Sequence, residues 1–401
     1  MTPTQPATRG QHRPADAQSL GGGAAGIALL HIERAAAGLS GWNAAHTWLT
    51  TATSDALAVG PHVSLLYGAP ALAFALHGAT GPGRYERALA ALDTQVADLV
   101  RQRLDQAHRR IDRGQRPVLA EFDLFKGLTG FGAHLLRRDP HGRLLAEVLD
   151  YLVRMTHPID ASGLPGWWTS EPPTGHRRAG GQGGQGGHGN LSMAHGISGP
   201  LALLALAASR GIVVDGQPDA IRRICAWTDA WRQTHPAGPW WPEVITVPEV
   251  HVGRPRQTEP GRPSWCYGTP GYARAQQLAG LALGDRPRQH LAEHALHGCL
   301  TDPIQLALIT DPGLCHGWAG VLHTSRRIAE SANNAALTSR VNALTNEATP
   351  LPHIHEPGFL NGMAGFALAL LSLASLTSGR TVTNWDSCLL LTTPTGQEMN
   401  T

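Results

Sequence analysis

The sequence predicts an all-α protein folded as an α/α toroid of about seven inner and seven outer helices, and three observations predict it. A short Gly-x-x-Gly element recurs seven times along the 401 residues. A helix that is apolar on all sides follows most copies, and a helix that is apolar on one face lies between them. Such alternation is typical of helix hairpins in a closed ring, in which inner helices form the core and outer helices surround it.

The glycine element is the clearest sign of the repeat. Its copies read GAAG, GAPA, GLTG, GISG, GTPG, GWAG and GMAG, and successive first glycines lie 45, 59, 69, 72, 49 and 45 residues apart. The second copy has Ala71 where the others have glycine. We interpret these glycines as scaffold, because a tight turn into a helix and close helix contact leave no room for a Cβ.

The two kinds of helix differ in how their apolar residues are spaced. Segments after the glycines, such as PLALLALAASRG and FALALLSLASL, are apolar all round and are predicted to be buried. Between copies, apolar residues recur at i, i+3, i+4 and i+7, as in Leu89, Leu92, Val96, Leu99 and Val100. Strand signals are weak throughout.

The repeats predict a single toroid domain over residues 19–380. A polar, Pro-rich disordered tail is expected at 1–18, a C-terminal tail at 381–401, and a flexible Gly-rich loop, AGGQGGQGGHGN, at 179–190. We interpret His188 as a residue of this loop and not as a ligand. Without an export signal, the protein is expected in the cytoplasm.

Composition excludes several classes of function. The net charge is +2, and in the most basic stretch Arg101, Arg103, Arg109 and Arg110 alternate with aspartates, which indicates a solvated helix face. No nucleic-acid partner is predicted. The long apolar stretch at 359–376 contains Asn361 and repeats the glycine motif, so we predict a buried helix and no transmembrane segment.

The candidate chemistry lies just before the glycines. If every inner helix begins at the same end of the ring, these positions meet at one mouth. Cys266 and Cys315 are 49 residues apart, as are the glycines that follow them, so they occupy equivalent positions in consecutive repeats. With His316 they offer two thiolates and an imidazole. Three such ligands suit a catalytic zinc with one open position, although two buried cysteines and an ordinary histidine remain the simpler alternative.

The other three cysteines complete an odd total of five, which argues against a disulfide framework in a reducing compartment. Cys225 and Cys299 are predicted to be buried small hydrophobes. Cys388 is left open.

The motifs NLSMAHGISG, WCYGTPG, LCHGWAG and FLNGMAG resemble, in this order along the chain, those of the lanthionine synthetase C-like cyclases. The repeats carry this resemblance over residues 21 to about 376. It implies an α/α toroid with one zinc held by Cys266, Cys315 and His316.

The resemblance also implies four further site residues near the metal: His195, Asp123, Arg262 and Tyr267. His195 in AHGISG is a close match, whereas Asp123 in FDLFKGLTG and Arg262 in its RxxWC spacing match less closely. Each has an ordinary structural explanation as well. Asp123 can cap a helix, and Arg262 can be a surface residue. The rings of His195 and Tyr267 can simply pack in the core.

The reaction that the resemblance implies is addition of a peptide cysteine to dehydroalanine or dehydrobutyrine, giving a lanthionine or methyllanthionine thioether. The implied partner is a dehydrated precursor peptide, with the dehydratase and the transporter of the same pathway as further partners. His195 is the candidate for proton transfer, since its ordinary pKa is near neutrality. Asp123 would orient it, and Arg262 would support the enolate oxygen.

Three other functions remain open at this point. A prenyltransferase-like zinc barrel would need a carboxylate ligand and an aromatic lipid pocket, whereas aromatic residues are only 5%. A glutathione-handling relative would share the same motifs. A noncatalytic scaffold would enclose its zinc with a fourth protein ligand.

Overall fold

The computed structural model describes residues 17–172, 186–348, 356–374 and 381–392. Within them, the chain forms sixteen α-helices and four short strands. The helices are α1 Ala24–Ala36, α2 Asn43–Ala52, α3 Ala69–Ala79, α4 Glu86–Asp112, α5 Leu119–Phe122, α6 Leu128–Arg138, α7 Arg143–Met155, α8 Ser198–Ser209, α9 Gln217–Ala230, α10 Val247–Val252, α11 Thr269–Leu283, α12 Arg286–Thr301, α13 Pro303–Ala307, α14 Trp318–Ala332, α15 Ala335–Ala348 and α16 Met363–Ala374. The strands are β1 His188–Asn190, β2 Gln233–His235, β3 Gly238–Trp240 and β4 Val244–Thr246.

Seven inner helices close into a ring. Each begins at or just after a glycine element, and they are α1, α3, α6, α8, α11, α14 and α16. Consecutive members contact each other, and α16 contacts α1. The predicted α/α toroid is therefore confirmed.

The outer helices pack on the inner helices that precede them: α2, α4, α7, α9, α12 and α15. On α4 only one face is buried, whereas all but two residues of α8 are buried. A seventh outer helix is not among the described residues.

The second glycine of the repeat element is required by close backbone contact. A Cβ on Gly271 would lie 2.0 Å from the carbonyl oxygen of Trp265, and one on Gly320 would lie 1.9 Å from that of Leu314. In both cases the carbonyl belongs to the sixth residue before the glycine. The chain thus doubles back against the first turn of its own helix, and this packing explains the motif without any chemistry.

The segments that lead into the inner helices lie side by side at one end of the toroid. We call them lead-in segments, and together they form the lead-in ring. In six of the seven steps around it, a backbone N–H of one segment donates to a carbonyl of the next: Leu20 to Leu66, Leu124 to Ala194, Met193 to Cys266, Cys266 to Cys315, Cys315 to Leu360, and Leu360 to Gly21. The predicted convergence at one mouth is therefore confirmed.

The C-terminal segment differs from the tail expected at 381–401. Residues 381–392 lie inside the ring, since they bond to inner helices on several sides. The Glu33 carboxylate of α1 accepts from the N–H groups of Val382 and Thr383, and Arg274 of α11 donates to the carbonyl of Leu391. Within the segment, a 3-10 helix spans Trp385–Leu389. The segment carries no helical periodicity, and for that reason the sequence did not reveal its packing.

Asp386 anchors this segment in the core. Its fully buried carboxylate accepts from Arg327 at 2.7 Å and contacts the His323 ring nitrogen at 2.9 Å, both on α14. Burial alone would raise the pKa of Asp386, but Arg327 and His323 hold it well below its ordinary value. Cys388, two residues on, is buried and donates to the carbonyl of Trp385. Burial raises the pKa of its thiol, so Cys388 is an unreactive core residue.

Other boundaries also differ from the sequence expectation. Gln18, assigned to the N-terminal tail, is buried and bonds to the backbone of Ala56 and Ala58, while residues 1–16 lie outside the described part. Residues 179–185 of the predicted Gly-rich loop also lie outside the described part of the chain. His188 forms part of β1, which pairs antiparallel with β4, so it is a buried strand residue and not a loop residue.

Buried side chains complete the core beside the mouth. Two pairs of adjacent tryptophans are buried, namely Trp167 with Trp168 and Trp240 with Trp241. Cys225 and Cys299 are buried as predicted.

In the described part of the chain, no helix combines the length and apolar character needed to cross a membrane.

Candidate active site

Three candidate metal ligands meet at the mouth. The sulfur atoms of Cys266 and Cys315 and a ring nitrogen of His316 all lie within 4.8 Å of one another. The lead-in ring brings them together, because the N–H of Cys266 donates to the carbonyl of Cys315 at 3.1 Å. Cys266 is buried, while Cys315 and His316 are half-buried. The cluster therefore has an enclosed side and a side that faces the mouth.

The two thiols ionise unequally. The Cys315 thiol donates to the Cys266 sulfur, and with further hydrogen bonds from His316 and Ser264 this contact lowers the pKa of Cys266 to about 5, although burial opposes ionisation. That same contact, with burial, raises the pKa of Cys315 well above its ordinary value. Two adjacent thiolates repel each other, so a cation would be needed to hold both sulfurs in the charged form. Two thiolates and an imidazole are the donor set that suits zinc, so these residues fit the expected metal.

The carboxylate of Asp311 lies next to the ring of His316. The Oδ2 atom of Asp311 lies 3.7 Å from Nε2 of His316, and Oδ1 of Asp311 accepts from the N–H of Gly313 at 2.6 Å. Metal-binding histidines are commonly oriented in this way by a carboxylate on the second ring nitrogen. Asp311 thus lies close enough to the His316 ring to influence its orientation.

His195 and Asp123 form a hydrogen-bonded pair at the mouth. Nδ1 of His195 lies 2.7 Å from Oδ2 of Asp123, which is 2% exposed. The other oxygen, Oδ1, accepts from the N–H groups of Lys126 at 2.6 Å and Gly127 at 2.8 Å. Asp123 thus caps the turn before α6 and not the helix itself, whose first turn has no side-chain cap, and it also orients a histidine.

The ring of His195 is held by neighbouring aromatic residues. Phe125 meets it edge-on with centroids 4.7 Å apart, and the Tyr267 ring lies 6.1 Å away. The Tyr267 hydroxyl accepts from Nδ2 of Asn190 at 3.1 Å. With Nδ1 engaged by Asp123, Nε2 is the nitrogen of His195 that can exchange a proton with a substrate.

Arg262 is exposed, four residues before Cys266. Its positive charge acts on the Cys-Cys-His cluster, since it lowers the pKa of the Cys315 thiol, although the contact with Cys266 and burial raise that pKa by more. The structure thus brings together Cys266, Cys315, His316, His195, Asp123 and Tyr267, and leaves the Arg262 side chain on the surface beside them.

Sequence reasoning missed several residues that support the site. They are Asn190, Ser264, Asp311 and Phe125. Ser264 lies two residues before Cys266, and Phe125 lies within the lead-in segment of α6, so inspection of each lead-in segment could have found both. Asn190 opens the NLSMAHGISG motif and Asp311 lies four residues before Cys315, so inspection of the same segments could have found these two as well.

Comparison with known proteins gives concordant results. The family model described as lanthionine synthetase C-like protein matches residues 14–390. The nisin biosynthesis protein NisC of Lactococcus lactis subsp. lactis is 22% identical over 338 residues, which cover 82% of this chain and 77% of NisC. A solved structure of nisin cyclase superposes with a TM-score of 0.74 at 21% identity, covering 94% of this chain and 93% of that one. At this identity the structural likeness concerns the fold alone.

Proposed function

The chain belongs to the lanthionine synthetase C-like family, and on this premise we propose that it is a zinc-dependent lanthipeptide cyclase acting on a dehydrated precursor peptide in the cytoplasm. It would join the thiol of a peptide cysteine to dehydroalanine or dehydrobutyrine. The similarity to a protein named for nisin biosynthesis supports a peptide substrate. The dehydratase and transporter of the same pathway are proposed as further partners.

One observation carries the proposal. A Cys-Cys-His cluster and a His-Asp pair lie on neighbouring lead-in segments, because the N–H groups of Met193 and Ala194 both donate to the carbonyl of Cys266. Four consecutive lead-in segments therefore offer a site for a thiolate beside a group that can move a proton. These are the two requirements of thiol addition to an activated alkene.

Cys266, Cys315 and His316 would hold the zinc, with Asp311 orienting His316. Zinc bound there would keep the substrate thiol deprotonated at neutral pH while leaving it nucleophilic. Three protein ligands leave room for the substrate, and the half-buried Cys315 and His316 mark the side on which it enters.

The reaction adds S–H across a C=C bond, so no atom is gained or lost. The thiol loses its proton to solvent as it binds, its sulfur forms a bond to the β-carbon, and the alkene electrons move onto the carbonyl as an enolate. Nε2 of His195 would then deliver a proton to the α-carbon. Asp123 stabilises the imidazolium that holds this proton, because its buried carboxylate contacts Nδ1.

Arg262 and Tyr267 would assist at the substrate carbonyl. The exposed Arg262 guanidinium can approach the enolate oxygen as negative charge develops on it. Tyr267 packs beside His195 with its hydroxyl accepting from Asn190, which leaves its O–H free to donate.

Binding of a thiol peptide should release about one proton per site at pH 7. A free thiol has a pKa of about 8.5 and is mostly protonated there, whereas it would bind as a thiolate. We expect affinity to rise as the pH rises toward that pKa. Calorimetry of the zinc-loaded protein in two buffers of different ionisation enthalpy counts the protons, with a cysteine peptide that lacks dehydro residues as the ligand.

The control is the same peptide with serine in place of cysteine. It should release no proton, and its affinity should not depend on pH over this range. Equal binding of both peptides without proton release would mean that the metal is enclosed by protein, and it would refute the catalytic proposal while leaving the fold intact.

A further inference from the structure

The lead-in ring has a gap beside the His-Asp pair. Within the described residues, no backbone hydrogen bond joins the lead-in segment of α3 to that of α6, whereas the other six steps have one. The N–H of Leu66, which would make this contact, is bonded instead to the Ser64 hydroxyl. The segment also differs locally, since Gly68 has a φ of +78° and its repeat has Ala71 in place of the second glycine.

The Arg103 side chain spans this gap. From outer helix α4, its Nη2 atom donates to the carbonyls of Pro61 at 2.9 Å and Val63 at 2.7 Å, in the segment before α3. Its Nη1 atom donates to the carbonyl of Lys126, in the segment before α6. The planar guanidinium holds both sides through separate nitrogen atoms, whereas an ammonium group would have to reach all three carbonyls from a single nitrogen.

Arg103 is also fixed and partly shielded from water. Its guanidinium carbon lies 5.1 Å from the ring centroid of Phe131 on α6. Burial lowers the pKa of Arg103, and the carboxylate of Asp123 is the charge that opposes this lowering. The sequence pattern predicts that Arg103 lies on a solvated helix face with Arg101. The structure corrects this, because Arg103 is half-buried while Arg101 is exposed and pairs with Asp98.

The turn that Arg103 holds is the turn that fixes Asp123. The Lys126 carbonyl accepts a hydrogen bond from Arg103, and the Lys126 N–H donates to Oδ1 of Asp123. This one residue therefore connects the guanidinium to the carboxylate. Because Oδ1 is held in this way, Oδ2 faces Nδ1 of His195. Displacement of Lys126 would therefore rotate Asp123 away from the histidine.

We propose that Arg103 is a positioning residue for ring formation, closing the lead-in ring at the segment that carries Asp123 and so holding His195 in its reactive orientation. This inference rests on the proposed function. It predicts that Arg103→Met lowers kcat by about tenfold or more, since small displacements of catalytic groups have effects of this size. KM and zinc content should not change. Arg101→Met, on the same helix but exposed, should behave as wild type.

A double-mutant cycle separates positioning from general support of the fold. If Arg103 acts through Asp123, adding Arg103→Met to the Asp123→Asn variant should not lower kcat further. Additive losses, an effect on KM alone, or wild-type kcat in Arg103→Met would each overturn the inference. Should Arg103→Met fail to fold, the same cycle is run with Arg103→Lys, which keeps the charge but loses the planar fork.

A structural readout keeps the inference testable apart from activity. In a crystal structure of Arg103→Met, or of Arg103→Lys, the contact of 2.7 Å between Asp123 and His195 should be lost, whereas Arg101→Met should keep it. An intact contact in the variant would overturn the inference. An inactive wild-type protein would instead refute the proposed function, and the crystal structures would still decide the role of Arg103.

Discussion

Replacing His195 with alanine is expected to lower kcat for ring formation by about 10²- to 10⁴-fold, the usual contribution of a general acid or base. The physical reason is that Asp123 engages Nδ1 and leaves Nε2 as the proton carrier. Zinc content should remain near one per chain, because His195 is not among the three clustered ligands. The measurement combines steady-state kinetics on a dehydrated cysteine peptide with metal analysis of the same sample.

Two further variants sharpen this experiment. His290→Ala removes an exposed histidine of α12 and should leave kcat unchanged. Asp123→Asn should lower kcat as well, since an amide cannot stabilise the imidazolium as a carboxylate does. Loss of metal in His195→Ala would make this residue a ligand, and full activity would remove its role in proton transfer.

Replacing Cys315 with alanine is expected to abolish ring formation by removing the metal. Only Cys266 and His316 would remain of the cluster, and two ligands hold zinc far more weakly than three. The helical fold should persist, because Cys315 is half-buried at the mouth while the ring buries its own apolar core. Metal analysis after dialysis and far-ultraviolet circular dichroism measure the two effects separately.

Cys225→Ala is the matched control for loss of a thiol. Cys225 lies on α9 outside the cluster, and burial raises the pKa of its thiol to about 12, so it cannot serve as a ready metal ligand. This variant should keep its zinc and its activity. Near-stoichiometric zinc in Cys315→Ala would mean that the metal assignment is wrong.

The ring was predictable from sequence because its signal is repeated. The equal spacing of 49 residues between the two cysteines and between their glycines predicted that they would be adjacent. The bond from the Cys266 N–H to the Cys315 carbonyl confirms it. Repetition also identified every inner helix, since each follows the same glycine element.

Contacts without a repeated pattern were not predictable in this way. The pairing of Asp123 with His195 joins positions 72 residues apart, and only the family resemblance suggested it. The C-terminal segment packs through single buried groups such as Asp386, which leave no periodic trace. Arg103 could have been found, because it lies four residues after Leu99 and seven after Val96, on the buried face of α4.

The most direct test of the central claim follows the substrate thiol itself. Zinc-loaded protein is incubated with a dehydrated cysteine peptide, and the remaining free thiols are counted by alkylation, since ring closure is an isomerisation that leaves the intact mass unchanged. Peptide alone and chelator-treated protein serve as controls. We expect alkylatable thiols to disappear only with the zinc-loaded protein, and each lost thiol to correspond to one thioether. Thiols that remain fully alkylatable with zinc-loaded wild-type protein would contradict the claim that this chain is a lanthipeptide cyclase.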